Sequence, residues 1–157
     1  MEVLFVCSGN IVRSPLAEGL LRKILADIAV KGVVVASRGT LGIEGQPADP
    51  EAVRLARERG FELRTHRSRG LTEPDVSRAD MIVVMEQAHL RALREIDPAA
   101  PGRARLLREF DPEHSATSPP DLGDPFGAGR EALRSCYAIL ERCVINLAFH
   151  LKYRHGP

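Results

Sequence analysis

The stretch Val3-Leu4-Phe5-Val6-Cys7-Ser8-Gly9-Asn10-Ile11-Val12-Arg13-Ser14-Pro15 sets an apolar run, a loop with one Cys and one Arg, and a helix start in direct succession. Val3 to Val6 is a continuous β-favouring run, the pattern of a strand buried on both faces of a parallel sheet. Pro15 suits a first helical turn, where a missing N–H costs nothing, and Ser14 is placed to cap it. The amides of Ser8 to Arg13 then lack strand or helix partners and can turn inward on a tetrahedral oxyanion at the positive end of a helix. The same field favours the thiolate of Cys7 over the thiol. Arg13 stays charged and offers a planar fork for two oxygens. Gly9 and Asn10 are residue types that accept the positive φ of a tight anion nest.

No Gly-x4-Gly-Lys-Ser/Thr and no Gly-x-Gly-x-x-Gly follows a strand, so nucleotide-type phosphate loops are excluded. The net charge of +1 argues against nucleic acid or a membrane surface as a partner. Neither a leader segment nor a long apolar span is visible, and three cysteines without zinc-site spacing fit a reducing compartment, so a cytoplasmic protein is expected.

Downstream, Leu16, Leu20, Leu21, Ile24, Leu25 and Ile28 recur at helical spacing, predicting an amphipathic helix over 15–30 that Gly32 ends. Val33 to Ser37 is a second β-branched run, and a strand–helix–strand unit of this length implies a right-handed parallel crossover. Residues 38–50 read as loop, residues 50–59 as a helix capped by Asp49 and closed by Gly60, and Met81 to Met85 as a third buried strand. A helix over 87–95, a short fourth strand at Ala104 to Leu107 and a closing amphipathic helix over 130–152 follow. Residues 109–129, rich in Pro and Gly, form a long structureless stretch of the functional kind. Cys136 and Cys143 share one face of the last helix two turns apart, roughly 10 Å, so they read as packed core cysteines. The expectation is one α/β domain over 1–157, a three-layer α/β/α sandwich on a four-stranded parallel sheet, with the phosphate loop between the first strand and first helix.

Cys7-x5-Arg13-Ser14, with Gly9, Asn10 and Pro15 at the chain's start, resembles the signature loop of the low-molecular-weight protein tyrosine phosphatases. The resemblance implies a phosphorylated protein or peptide as substrate, binding of phosphate, sulfate or vanadate, and neither metal nor cofactor. It also implies roles for individual residues. Cys7 is the nucleophile, residues Ser8, Gly9, Asn10, Ile11, Val12 and Arg13 hold the phosphate, and Ser14 donates to the Cys7 sulfur. Ser37-x-Gly39-Thr40 and the loop after it look like the family's pocket wall, with Ile43 or Glu44 where many members carry an aromatic residue. Thr65-His66-Arg67-Ser68-Arg69 resembles a stretch whose His joins Asn10, Ser37 and Ser14 in a network that holds the loop.

Expelling an alkoxide or phenoxide requires a proton. The late loop offers Asp111, Asp121 and Asp124; Asp124-Pro125-Phe126-Gly127 resembles the family's Asp-Pro-aromatic loop, which makes Asp124 the candidate general acid and Phe126 a pocket wall. Two features, a Phe after Pro125 and a second loop without an aromatic, are similar to the protein-arginine phosphatase branch. Ile11 points to phosphotyrosine, since the arginine branch has a characteristic Thr there. Arsenate reductases of this fold need further cysteines after the third strand, where this chain has Glu86 to His89. A non-catalytic phosphate-binding module needs neither nucleophile nor acid. Val12 stands where many members have a second Cys, so irreversible oxidation of Cys7 is expected.

Overall fold

The computed structural model describes residues 1–155. Four strands, β1 (Glu2–Cys7), β2 (Val34–Gly39), β3 (Met81–Val84) and β4 (Ala104–Leu106), form one sheet in the order β2-β1-β3-β4, every pairing parallel. Among the described residues five α-helices accompany them, α1 (Arg13–Asp27), α2 (Pro50–Glu58), α3 (Glu73–Arg78), α4 (Gln87–Ile96) and α5 (Arg130–His155), with short 3-10 turns at Ala100–Arg103 and Leu107–Phe110. Alternate side chains of the central strands feed two cores. Val3, Phe5, Met81 and Val83 pack with α1, α2 and α5, while Leu4, Val6, Ile82 and Val84 pack with α3 and α4. This is the expected α/β/α sandwich, and burial on both faces is why β1 from Val3 onwards and the whole of β3 are apolar.

The strand order reverses direction at β1. The chain leaves β1 towards β2 and returns to β3 on its other side, so the loops after β1 and β3 diverge and open a crevice at the carboxyl end of the sheet.

Local differences from the sequence expectations have physical causes. Helix α1 starts at Arg13 with Val12 in the capping position, and among the described residues no side chain caps it. Ser14 is therefore not a cap; it lies inside the first turn and is fully buried. At the other end α1 stops before Gly32, because Ala29 takes φ 58° and Val30 N–H returns to Leu25 O at 2.9 Å, closing the helix in a Schellman turn. Asp49 caps α2 through the amides of Glu51 and Ala52, as its position suggested. Helix α3 was not expected. It is only six residues long and rests on a Thr72/Asp75 capping box rather than on an apolar period.

Candidate active site

Cys7 ends β1 at 2% exposure, and the chain from Ser8 to Val12 curls over its sulfur before α1 begins. Asn10 is the pivot. It has φ 56°, which a non-glycine residue holds only when its surroundings enforce it. The surroundings use every polar group it has. Its amide donates to Cys7 Sγ at 3.2 Å, and its side-chain Nδ2 donates to Ser14 Oγ and Ser37 Oγ, each at 2.9 Å. Its Oδ1 accepts from Arg69 N at 2.9 Å, and its carbonyl accepts from His66 Nε2 at 2.8 Å. Gly9 has no positive φ, so only Asn10 of the expected pair uses that conformation.

Ser14 Oγ accepts from Asn10 Nδ2, so its own hydrogen is available to Cys7 Sγ at 2.9 Å or to the more distant Arg38 O at 3.5 Å, and the sulfur is the nearer partner. Ser37 Oγ likewise accepts from Asn10 and donates to Glu18 Oε2, whose other oxygen pairs with Arg22 at 2.7 Å. Glu18 thus anchors the far end of the network. Nothing in its sequence context marks it, because its partner comes from β2.

Gly39, at the end of β2, lies against this loop. A Cβ there would fall 2.7 Å from Ser8 O and 2.9 Å from Asn10 N, so the approach of β2 to the loop requires glycine.

Arg13 is 1% exposed. Its Nη1 donates to Leu122 O at 2.7 Å and pairs with Glu86 Oε2 at 3.0 Å; its Nη2 faces Asp124 Oδ2 and Ser8 Oγ, both at 3.4 Å. Both arms of the fork therefore meet the late loop, Nη1 at Leu122 and Nη2 at Asp124, and Nη1 is also tied to Glu86 at the β3–α4 corner. Glu86 and His89, at the start of α4, carry no sequence signal for the site and reach it because that corner borders the crevice.

The late loop is held at several points. Leu122 N donates to Met85 O at 2.8 Å, Gln87 N donates to Asp121 Oδ1 at 2.8 Å, and Asp111 pairs with Arg142 of α5 at 3.1 Å. The three candidate acids separate accordingly. Asp111 is buried in an ion pair with α5, Asp121 receives the first amide of α4, and Asp124, 44% exposed, lines the cavity above Cys7.

That cavity, ≈ 140 Å³, is lined by Cys7, Gly9, Ile11, Val12, Arg13, Leu41, Ile43, Asp124 and Phe126. Of the two wall candidates only Ile43 reaches it. Glu44 turns its carboxylate away to accept from Gly70 N at 2.7 Å. Leu41 (68% exposed) takes a place on the rim that the sequence reading did not assign, beside Phe126 (63% exposed). Leu41, Ile43 and Phe126 make the rim apolar except at Asp124, and Arg13 makes the floor ionic. Cys136 and Cys143 sit in the α5 core, where burial pushes both thiols up to about 12. Among the described residues no cluster of His, Cys, Asp and Glu is arranged to hold a metal ion.

A parallel α/β sheet with a buried thiol under its first strand-to-helix loop, a buried guanidinium beside it and a carboxylate at the rim defines a class of cysteine- and arginine-centred sites. The model of the low molecular weight phosphotyrosine protein phosphatase family matches residues 2–155, and the chain belongs to that family. A low molecular weight protein-tyrosine-phosphatase of Streptomyces coelicolor is 38% identical over 144 residues, 89% of this chain and 87% of its own. Among solved structures, Vibrio vulnificus Wzb in complex with benzylphosphonate is 31% identical with TM-score 0.83, covering 95% of this chain and 97% of that one. The YwlE arginine phosphatase from Geobacillus stearothermophilus is 31% identical with TM-score 0.84, covering 99% and 97%. The chain is thus a cysteine-based phosphatase by family.

Proposed function

We propose that this chain dephosphorylates phosphotyrosine in proteins or peptides through a phospho-Cys7 intermediate, with Asp124 as general acid and then general base. The cavity carries the reading. It sets Cys7 Sγ and Arg13 at the floor and an apolar collar of Ile11, Leu41, Ile43 and Phe126 at the mouth, a fit for a phenyl ring bearing a dianion. Both carboxylates of the second loop are engaged elsewhere, Glu44 by Gly70 N and Asp49 by the first amides of α2, which leaves the collar apolar.

In the first step Cys7 Sγ attacks phosphorus in line with the leaving oxygen, while loop amides and Arg13 Nη2 take up charge on the equatorial oxygens. The incoming phosphoryl group displaces Asp124 from Arg13 Nη2 and leaves its carboxyl facing the ester oxygen, which it protonates as the P–O bond breaks. In the second step the same carboxylate takes a proton from water as water attacks the phosphocysteine, and sulfur departs with help from the Ser14 hydroxyl. The backbone amide of Asn10 further stabilises the departing thiolate.

A protein-arginine phosphatase is the second reading, favoured by the likeness to the Geobacillus structure. The test compares phosphotyrosine and phosphoarginine peptides with wild type, Cys7→Ser and Asp124→Asn, without added metal and with and without vanadate. Wild type is expected to prefer phosphotyrosine and to be blocked by vanadate, and Cys7→Ser to release no phosphate. Asp124→Asn should lose about 10²–10⁴ of the rate on tyrosine peptides, and much less on aryl phosphates whose phenoxide leaves without a proton. Preference for phosphoarginine peptides overturns the substrate; full turnover by Cys7→Ser overturns the mechanism.

A further inference from the structure

We infer that His89 is a positioning residue that sets the Arg13 guanidinium through Ser8, an inference that rests on the phosphatase reading above. His89 is 2% exposed and belongs to the first turn of α4, across the crevice from the loop. Glu86 N–H donates to its Nδ1 at 3.1 Å, so Nδ1 carries no proton and the hydrogen resides on Nε2. Nε2 lies 3.0 Å from Ser8 Oγ, and therefore donates to it.

Ser8 Oγ also faces Arg13 Nη2 at 3.4 Å, so two donors converge on one hydroxyl oxygen. Glu86 adds the opposite constraint, with Oε2 at 3.0 Å from Arg13 Nη1 and 3.5 Å from His89 Nε2. The imidazole thus spans two of the four residues that hold the guanidinium, Ser8 at one arm and Glu86 at the other, where Asp124 and Leu122 O also bind. Ser8 takes hold of the arm that meets the phosphoryl oxygens, and Glu86 of the arm that does not.

Neutrality of the ring is essential to this arrangement. A second proton would displace the Glu86 amide from Nδ1 and place a cation beside Arg13. Burial, reinforced by the Arg13 charge, opposes protonation and holds the ring's pKa near 4, against the pull of Glu86, Asp121 and Asp124. A histidine placed only to fill space would show no such order among its partners.

The test measures orthovanadate binding by titration calorimetry and aryl phosphate hydrolysis for wild type, His89→Leu, His89→Gln and His89→Asn, each alone and combined with Ser8→Ala, with the thermal midpoint recorded. Gln reaches Ser8 with an N–H and should keep vanadate affinity and kcat/KM within about threefold. Leu, and Asn, which is too short to reach, should lose about tenfold in both, the worth of one buried hydrogen bond. In the Ser8→Ala background the Leu and Asn substitutions should cost little more. Equal behaviour of Gln and Asn, or an unchanged penalty in the Ser8→Ala background, overturns the inference even where stability falls. Vanadate binding without hydrolysis by wild type would instead overturn the phosphatase reading and leave the vanadate comparison standing.

Discussion

The side-chain amide of Asn10 donates to Ser14 Oγ at 2.9 Å, and the same oxygen stands 2.9 Å from Cys7 Sγ. Cys7 is therefore oriented by a residue of its own loop through a hydroxyl of α1, while Ser37, Arg69 and His66 keep that residue in a conformation it would not choose alone.

Asn10→Ala should expose this dependence. It leaves the Arg69 amide and the Ser14 and Ser37 hydroxyls short of partners and keeps a Cβ at positive φ, for a destabilisation on the order of 3 kcal/mol. Activity should fall about 10²-fold through misplacement of Cys7 and the loop amides. Urea unfolding together with kcat/KM for an aryl phosphate checks both, and an unaltered kcat/KM in a destabilised variant would separate the network from catalysis.

Gly39→Ala tests the approach of β2 to the loop. Because the new Cβ meets the backbone at Ser8 and Asn10, the loop or the strand must shift, at about 1–3 kcal/mol. Thermal unfolding should occur earlier and vanadate affinity should drop with it, since the displaced atoms belong to the loop proposed to hold the phosphate. A variant with wild-type vanadate affinity contradicts this.

Cys7 and Val12 line the same cavity, and Cys136 and Cys143 lie in the α5 core. Peroxide should therefore carry Cys7 past the sulfenic stage, and dithiothreitol should recover little activity. Val12→Cys supplies a neighbouring thiol that can capture the sulfenic acid as a disulfide with loss of water, so activity lost to peroxide should return on reduction. Mass spectrometry of the Cys7 peptide distinguishes sulfinic acid from disulfide.

His89 also makes stability depend on pH. Its folded-state pKa of about 4 lies below the usual 6.5, because burial and then Arg13 oppose the charge. Between those values the unfolded chain binds more protons than the folded one, so stability is present above pH 6.5 and is lost as pH falls towards 4, by up to about 3 kcal/mol. Burial works to raise Asp75 and Asp111, but hydrogen bonds from Thr72 and Arg38 to the first, and from Arg142 to the second, outweigh it. Both carboxyls therefore sit below their ordinary 3.8, and their losses belong to more acidic conditions. Urea midpoints from pH 4.5 to 7 should slope in wild type and flatten in His89→Asn.

The nest was legible because it is contiguous. Strand, loop and helix start follow within a single short segment, so residue types alone locate Cys7 and Arg13 and the sandwich built around them. The buried runs of β1 and β3, the Asp49 cap and the α5 period were equally local signals. Glu86, His89, Glu18 and Leu41 carry none. They come to the site because the chain diverges between β1 and β3 and because α1 lies over β2. Packing also decided that Ser14 serves the sulfur rather than capping α1, and that Ile43 faces the cavity while Glu44 turns to Gly70. A one-residue difference in direction along a loop leaves no trace in composition. It is settled by which buried amide must find an acceptor, and that amide belongs to a distant part of the chain.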